Sequence, residues 1–378
     1  MLKAAGIIFS NLHGVSLPEL TSKRTMASVP FGCRYRLIDF SLSNMANSGI
    51  SKIGVVVHDN YHSLMNHIGT GKDWDLARRS GGIKILPPFI TAFGNSGAKS
   101  LYTTRLEAMV GISEFISHCS EDMIVFSDCD IVCNMDLSDV LREHEKNEAD
   151  ITLVTTENEF THTSDPYETY SVSVDGDQRV TDVALSTANN AGKHISTNIM
   201  VVNRVYLLSI IDDALSHGYD DFYRDILSKA LNSRRVFAYD YKGHILRISS
   251  LESYYSASMS LLSEEVRDSI INVDGRPVYT KVRNSAPTLY HSGSSIKNSY
   301  IADGCEIEGT VENSIIFRGA KISRGAVVKN SIIMQDTYVG EKAVLNCTIA
   351  DKDVTIKAGR MLSGHSTMPF YISKGAIV

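Results

Sequence analysis

The sequence predicts an α/β protein: a layered, mostly parallel α/β domain followed by a short hexapeptide-repeat solenoid. Three observations predict it. From residue 1 to about 260, short β-branched runs alternate with helical patterns. Those runs lack strict apolar/polar alternation, as strands covered on both faces should. Beyond about residue 294, aliphatic residues recur six apart with glycines at the corners.

Leu2 to Phe9 is an apolar run that reads as a buried central strand. The loop Ser10 to Ala27 follows, where an α/β protein places a phosphate-binding turn. Pro30, Gly32, Arg34 and Arg36 lead into a helix read over Phe40 to Ser48. Further strands are read over Lys52 to Val57, Ile83 to Leu86, Asp122 to Phe126, Ile151 to Thr155 and Ile199 to Val202. Helices are read over Thr104 to Ile116 and Leu137 to Glu148, the latter capped by Asp136 or Ser138. Tyr170 to Asp177 reads as a strand entering a hairpin, with Asp175-Gly176 as the turn signal.

Pro277 and Pro287 break the periodicity, which sets the expected boundaries: an α/β domain over 1–270, a linker over 271–293 and a solenoid over 294–378. Ile316, Ile322 and Val328 are six apart, as are Ile333, Val339 and Leu345 after one slip of five. One inward aliphatic per short strand stacks coil on coil. The competing reading is an antiparallel sheet with turns every five or six residues. Short coils often serve as assembly surfaces, so an oligomer is expected.

At 378 residues the chain is long enough for a sizeable core and two domains. It is 43% hydrophobic and 21% charged, with net charge −6 and both signs intermixed. A nucleic-acid binder would show a basic face, and none is evident. The six cysteines are scattered without a CxxC pair, so reduced structural thiols are expected. No apolar run approaches the roughly 18–20 residues of a membrane span, and the first residues lack signal-peptide regions. A cytoplasmic location is the expectation.

Val29-Pro30-Phe31-Gly32-Cys33-Arg34-Tyr35-Arg36-Leu37-Ile38-Asp39-Phe40-Ser41-Leu42-Ser43-Asn44 resembles the run V-P-F-G-G-x-Y-R-I-I-D-F-x-L-S-N of bacterial glucose-1-phosphate adenylyltransferases. Asn47 to Ile50, His67 to Gly69 and Arg276-Pro277-Val278-Tyr279-Thr280 extend the resemblance over essentially the whole chain. It implies a Rossmann-like nucleotidyltransferase (GT-A-like) domain followed by a C-terminal left-handed parallel β-helix. The family transfers adenylyl from ATP to glucose 1-phosphate with Mg²⁺, giving ADP-glucose for glycogen and releasing pyrophosphate.

The catalytic words are eroded. The family's G-G-x-G-x-R-L-x-P-L-T, anchored on Leu17, Leu20 and Thr21, puts Asn11 and Leu12 at the glycine pair. Gly14 keeps the third glycine and Ser16 replaces the arginine. Leu12 has a Cβ and is disfavoured at positive φ, so the phosphate cradle is expected to be lost. Met26 stands where the family has a phosphate-handling lysine.

Aligning G-D-H-I-Y-K-M-D on Met135-Asp136 puts Asp130 at the metal-binding aspartate, with Asp128 nearby. The second aspartate, from W-R-D-V-G-T-x-D-A-Y, aligns with Arg247. That change moves the local charge by two units, and Arg247 is expected to pair with Asp130 in the metal's electrostatic place. The sugar-phosphate word E-K-P falls on Val183 to Thr187 without a Glu-Lys pair, Lys193 and His194 being the nearest cations. Thr104-Arg105-Leu106-Glu107-Ala108 lacks the glycine of G-T-A-D-A. Trp74 reads as loop packing.

Lys23-Arg24 aligns with a basic pair that helps some members bind anionic sugar-phosphate effectors, and Arg36 lies in the same neighbourhood. The bland alternative is a solvated basic turn. The pattern resembles the D-type, catalytically degenerate subunit of this family. It implies a regulatory or activity-boosting partner of a catalytic glucose-1-phosphate adenylyltransferase subunit in a hetero-oligomer, such as a tetramer. Three alternatives stand beside it: an active nucleotidyltransferase with a rearranged site built on Gly14, Asp130 and Asp128; a scaffold; and a solenoid acyltransferase. The last would need a histidine base near the coils, where only His291 and His365 are available.

Overall fold

The computed structural model describes residues 3–10, 17–78, 81–87, 104–157, 169–185 and 194–378. The first domain is built on a nine-stranded sheet. Its strands are β1 (Ala4–Phe9), β2 (Lys52–Val56), β3 (Gly82–Leu86), β4 (Met123–Asp128), β5 (Ile151–Thr156), β6 (Tyr170–Val174), β7 (Val180–Leu185), β8 (His194–Asn203) and β9 (Val236–Asp240). The order is β7-β6-β8-β4-β1-β2-β3, with β5 pairing β8 and β9 off that path.

Strand β1 is central, parallel to both β2 and β4. Its side chains divide between two cores: Ala5, Ile7 and Phe9 join one, Ala4 and Ile8 the other. Burial on both faces is why no alternation is visible in this run. Helix α1 (Leu37–Asn47) lies so close over β1 that a Cβ on Gly6 would meet Met45 Sδ at 2.3 Å.

The sheet is mixed, where the sequence predicted a mostly parallel one. Strand β8 runs antiparallel to β4, β5 and β6. It can serve three neighbours because its register shifts between Ser196 and Met200, with Asn198 at φ 62°.

Helix α1 begins before Phe40, because Asp39 Oδ2 accepts the Arg36 N–H at 3.0 Å and fixes the start there. The helix read over Thr104 to Ile116 is two, α2 (Arg105–Gly111) and α3 (Ser113–Ser117), broken where Ile112 leaves helical geometry. Thr104 and Glu107 form a capping box on α2. Asp136 caps α4 (Leu137–Lys146) by accepting the Ser138 N–H. The hairpin turn is longer than the two-residue Asp-Gly turn. Asp175 pairs with Arg179 and the left-handed residue is Gln178, at φ 62°. Helix α5 (Arg204–His217) and helices α6 (Leu251–Ser260) and α7 (Glu264–Ile270) complete the domain.

The C-terminal domain consists of three five-stranded parallel sheets, the architecture of a left-handed parallel β-helix. Its first strand, Leu289–Tyr290, pairs with Glu306–Ile307 and so lies inside the stretch read as linker. Lys321 pairs with Tyr338, Val327 with Val344 and Ile332 with Ile349, seventeen residues apart each time. A seventeen-residue coil is one short of three hexapeptides, which accounts for the slip of five in the sequence.

The two domains share a core. Phe317, Ile315, Ile332, Met334 and Ile349 of the coils cluster with Phe31, Leu37 and Tyr254 of the first domain. Fully burying each such side chain contributes about 1.5–3 kcal/mol. Gly32 and Cys33 turn the chain at this seam with φ 53° and 68°. The family's glycine would take that conformation freely. Cys33 takes it while its thiol donates to Tyr300 O at 3.0 Å.

Candidate functional site

Strand β4 ends at Asp128, and Asp130 follows two residues later, at the carboxyl edge where open α/β sheets bind ligands. Both carboxylates are buried. Ile131–Val132 then pairs antiparallel with Leu246–Arg247, and the Ile248 N–H donates to Asp130 O at 2.8 Å. That small ladder sets Arg247 beside Asp130, with Nε 3.8 Å from Oδ2 and both side chains almost fully buried. The Arg247 guanidinium also donates to Thr169 Oγ1.

A second arginine was not anticipated. Arg105, the first residue of α2, donates to Asp128 Oδ2 at 2.5 Å and to Asn198 O at 3.1 Å. Its guanidinium lies 5.3 Å from the Phe9 ring centroid. The sequence clue was an arginine opening a capped helix in a family word that has no cation there. Two carboxylates thus face two guanidinium groups. A hard divalent cation needs several oxygen ligands and favours net negative charge. Asp128 and Asp130, each with an arginine in place, do not fit Mg²⁺.

Other expected positions divide as follows. Asn11, Leu12, Gly14 and Ser16 lie outside the described residues, as do Ser186, Thr187 and Lys193. Met26 is only 2% exposed and belongs to the core, an apolar role that a lysine could not fill. Ser196 Oγ and Asn198 Oδ1 each lie 2.9 Å from the Tyr223 hydroxyl, which donates to the Asn198 oxygen. Tyr170 stacks on that ring at 3.9 Å. His194 lies 3.8 Å from Asp240 and 4.0 Å from Glu157, with Lys242 bridging the same two carboxylates. Trp74 is buried and meets His67 edge-on.

The three candidate effector residues separate. Lys23 is exposed. Arg24 is buried, and its Nη2 donates to both oxygens of Asp351, at 2.9 and 2.7 Å. The Tyr371 hydroxyl lies 2.9 Å from the same carboxylate and 2.7 Å from Glu19 O, its one proton shared between the two acceptors. Arg36 alone joins a cationic concavity between the domains. Arg34, Lys281, Arg283, Arg318 and Lys352 line it with Arg36. Sequence reading missed the last four, because linker and coil meet the first domain only after folding.

This concavity has few internal anions. Asp303 accepts from Arg34 and Arg318, at 3.3 and 3.0 Å. Arg36 donates to Ser63 O and Oγ. Burial brings the Arg36 pKa down to about 10, Asp39 opposing and Arg283 and Arg24 reinforcing. Burial and the charges of Arg36 and Arg24 bring Lys352 down to about 7, with Asp351 opposing. Like charges held this close favour an anion.

The nucleotidyl transferase family matches residues 5–264, and the GlmU-like C-terminal hexapeptide family matches residues 287–369. The chain is 30% identical over 374 residues to the glycogen biosynthesis protein GlgD of Bacillus subtilis (strain 168), covering 98% of this chain and 96% of that protein. It is 31% identical over 378 residues to the glucose-1-phosphate adenylyltransferase of Fervidobacterium nodosum, covering 99% and 89%. Against that of Bacillus thuringiensis (strain Al Hakam) it is 28% identical over 363 residues, covering 95% and 94%. No helix among the described residues is long and apolar enough to cross a membrane.

Proposed function

The chain belongs to the nucleotidyl transferase family, and from that membership we propose that it serves glycogen biosynthesis as a regulatory or activity-boosting subunit of glucose-1-phosphate adenylyltransferase. Its relatives by name support this role on two sides, one a glycogen biosynthesis protein and the others adenylyltransferases. Its own transfer chemistry is weak or absent, and it binds no Mg²⁺. The observation that carries this is the pair of buried contacts Arg105–Asp128 and Arg247–Asp130. Each guanidinium supplies the positive charge a metal would supply, but it cannot take a phosphate oxygen into a coordination shell or activate a nucleophile.

The partner is a catalytic subunit of the same family, and the anion taken up between the domains is a sugar phosphate. Arg36, Lys352 and their neighbours supply the charge. The test is the rate of ADP-glucose formation by this chain alone, by a catalytic subunit alone and by the mixture. The mixture should exceed the sum, and this chain alone should turn over far below the usual enzyme median of about 10 per second. Ordinary turnover by the isolated chain would refute the reading.

A further inference from the structure

The solenoid turns one of its three faces to the first domain, the face carrying Ile315, Ile332 and Ile349. The corner opposite joins the sheet of Lys321–Ile322 and Tyr338–Val339 to the sheet of Val327–Lys329 and Val344–Asn346. Successive coils stack their turns there. Gly325, Lys342 and Gly359 hold matching left-handed φ of 72°, 56° and 70°. The Lys342 N–H donates to Arg324 O at 3.3 Å, and the Gly359 N–H donates to Glu341 O at 2.8 Å. The Lys342 stem lies over the turn before it, where a Cβ on Gly325 would meet its Cγ at 3.4 Å.

This stacking gathers Arg324, Lys342, Lys357 and Arg360 on three successive coils, all of them exposed. Of residues 323–326, 340–343 and 357–360, Glu341 alone is acidic. The acids of the flanking sheets are taken by other cations: Glu306 by Lys321, and Glu312 by Lys297 and Lys329. Beside the cations runs an apolar column on the solvent side of the sheet. Val327 pairs with Val344, and Val344 with Met361. The valines are half-buried, and Met361 is 77% exposed. Their neighbours Val328 and Leu345 point inward and fill the coil.

The edge therefore presents a row of positive charge next to a row of aliphatic surface, with a repeat of about 4.8 Å, the spacing of paired strands. An α-helix repeats its face every 5.4 Å or so. Over three coils the two periods stay in step. A phosphate polymer would meet the cations but leave the apolar column uncovered, and a net charge of −6 opposes such a partner. Carboxylates on an amphipathic helix match both rows.

We propose that this corner docks an amphipathic helix of another protein chain, one whose carboxylates recur turn by turn beside an apolar stripe. Its carboxylates meet Arg324, Lys342 and Arg360, and its apolar stripe covers Val327, Val344 and Met361.

The test is fluorescence anisotropy with the full chain, at physiological ionic strength, and a labelled helical peptide bearing a leucine stripe flanked by glutamates. A second peptide replaces each glutamate by lysine, and heparin stands for a sulfate- or phosphate-bearing polymer. The glutamate peptide should bind with Kd below about 1 mM, and at least about tenfold more tightly than the lysine peptide. Arg324→Gln/Lys342→Gln changes only exposed side chains and should weaken that binding about tenfold. Met361→Ser should also weaken it, which a purely electrostatic contact would not show. The control Arg142→Gln/Lys146→Gln, on an exposed face of α4, should leave it unchanged. The proposal is overturned if the glutamate peptide does not bind, if the lysine peptide binds as well, or if both double variants weaken binding equally. Heparin binding without binding of the glutamate peptide would assign the corner to a polyanion instead.

Discussion

Arg24 and Asp351 are 327 positions apart in sequence, yet one guanidinium nitrogen donates to both carboxylate oxygens, with side-chain exposures of 5% and 2%. The pair bolts the loop after β1 to the coils. Tyr371 and the Lys352 backbone N–H donate to the same carboxylate and complete its shell. Removing one partner leaves a buried uncompensated charge. Arg24→Ala or Asp351→Ala should therefore cost about 3–5 kcal/mol. Arg24→Met combined with Asp351→Leu should cost clearly less than the two single changes added together. Urea unfolding of the four proteins measures this cycle.

The second prediction concerns Tyr371. Tyr371→Phe keeps the ring and removes its hydrogen bonds to Glu19 O and Asp351 Oδ2. The loss should be about 1–3 kcal/mol, the larger part from the bond to the charged group. Denaturation midpoints at constant slope would show it.

Magnesium provides a third test. Calorimetric titration of the native chain with Mg²⁺ should show no site. Arg247→Asp combined with Arg105→Ala removes both guanidinium groups and adds an acid beside Asp130. That variant should bind Mg²⁺ with measurable heat. Arg247→Asp alone should bind more weakly, because Arg105 still faces Asp128. Mg²⁺ binding to the native chain would contradict the proposed loss of the metal site.

Lys352 makes anion binding depend on pH. Its folded pKa, about 7, lies below the ordinary lysine value, so the free chain holds the neutral amine above neutrality. An anion in the concavity favours the ammonium and draws a proton in. Affinity for a hexose bisphosphate should fall as pH rises from 6.5 to 8.5, with net proton uptake on binding near pH 8. Calorimetry in two buffers of different ionisation enthalpy reads that uptake, and Lys352→Met should abolish most of it. Stability of the free chain follows the opposite sign. Between about 7 and the ordinary lysine value the unfolded chain holds the extra proton, so this group favours folding as pH rises through that window.

Much of the architecture is written locally. The seams of β1, β2, β4 and β5 show in short β-branched runs. The coils show in a six-residue step that reads through even though the turn is fifteen residues where Glu306 pairs with Lys321 and seventeen where Lys321 pairs with Tyr338. The mixed sheet was not legible, because β8 reaches three neighbours through a register shift at Ser196 to Met200. Such a shift depends on partners far apart in sequence. Arg247 beside Asp130 could be anticipated from an alignment of words. Arg105 on Asp128 could not, because the length of α2's approach to β4 is a matter of packing.

Lys23, Arg24 and Arg36 show the division most clearly. Their identity and spacing announced positive charge near the seam. Charge alone does not say whether a cation is solvated, locked or free to meet a ligand. That was decided by which groups from residues 281–352 fold against them. Arg24 met a carboxylate and became a structural bolt. Lys23 met water. Arg36 met Arg283 and Lys352, and like charges brought together in a partly desolvated seam create the need for an anion. The sequence carries each side chain's chemistry, and the tertiary structure alone determines which charges share a low-dielectric space.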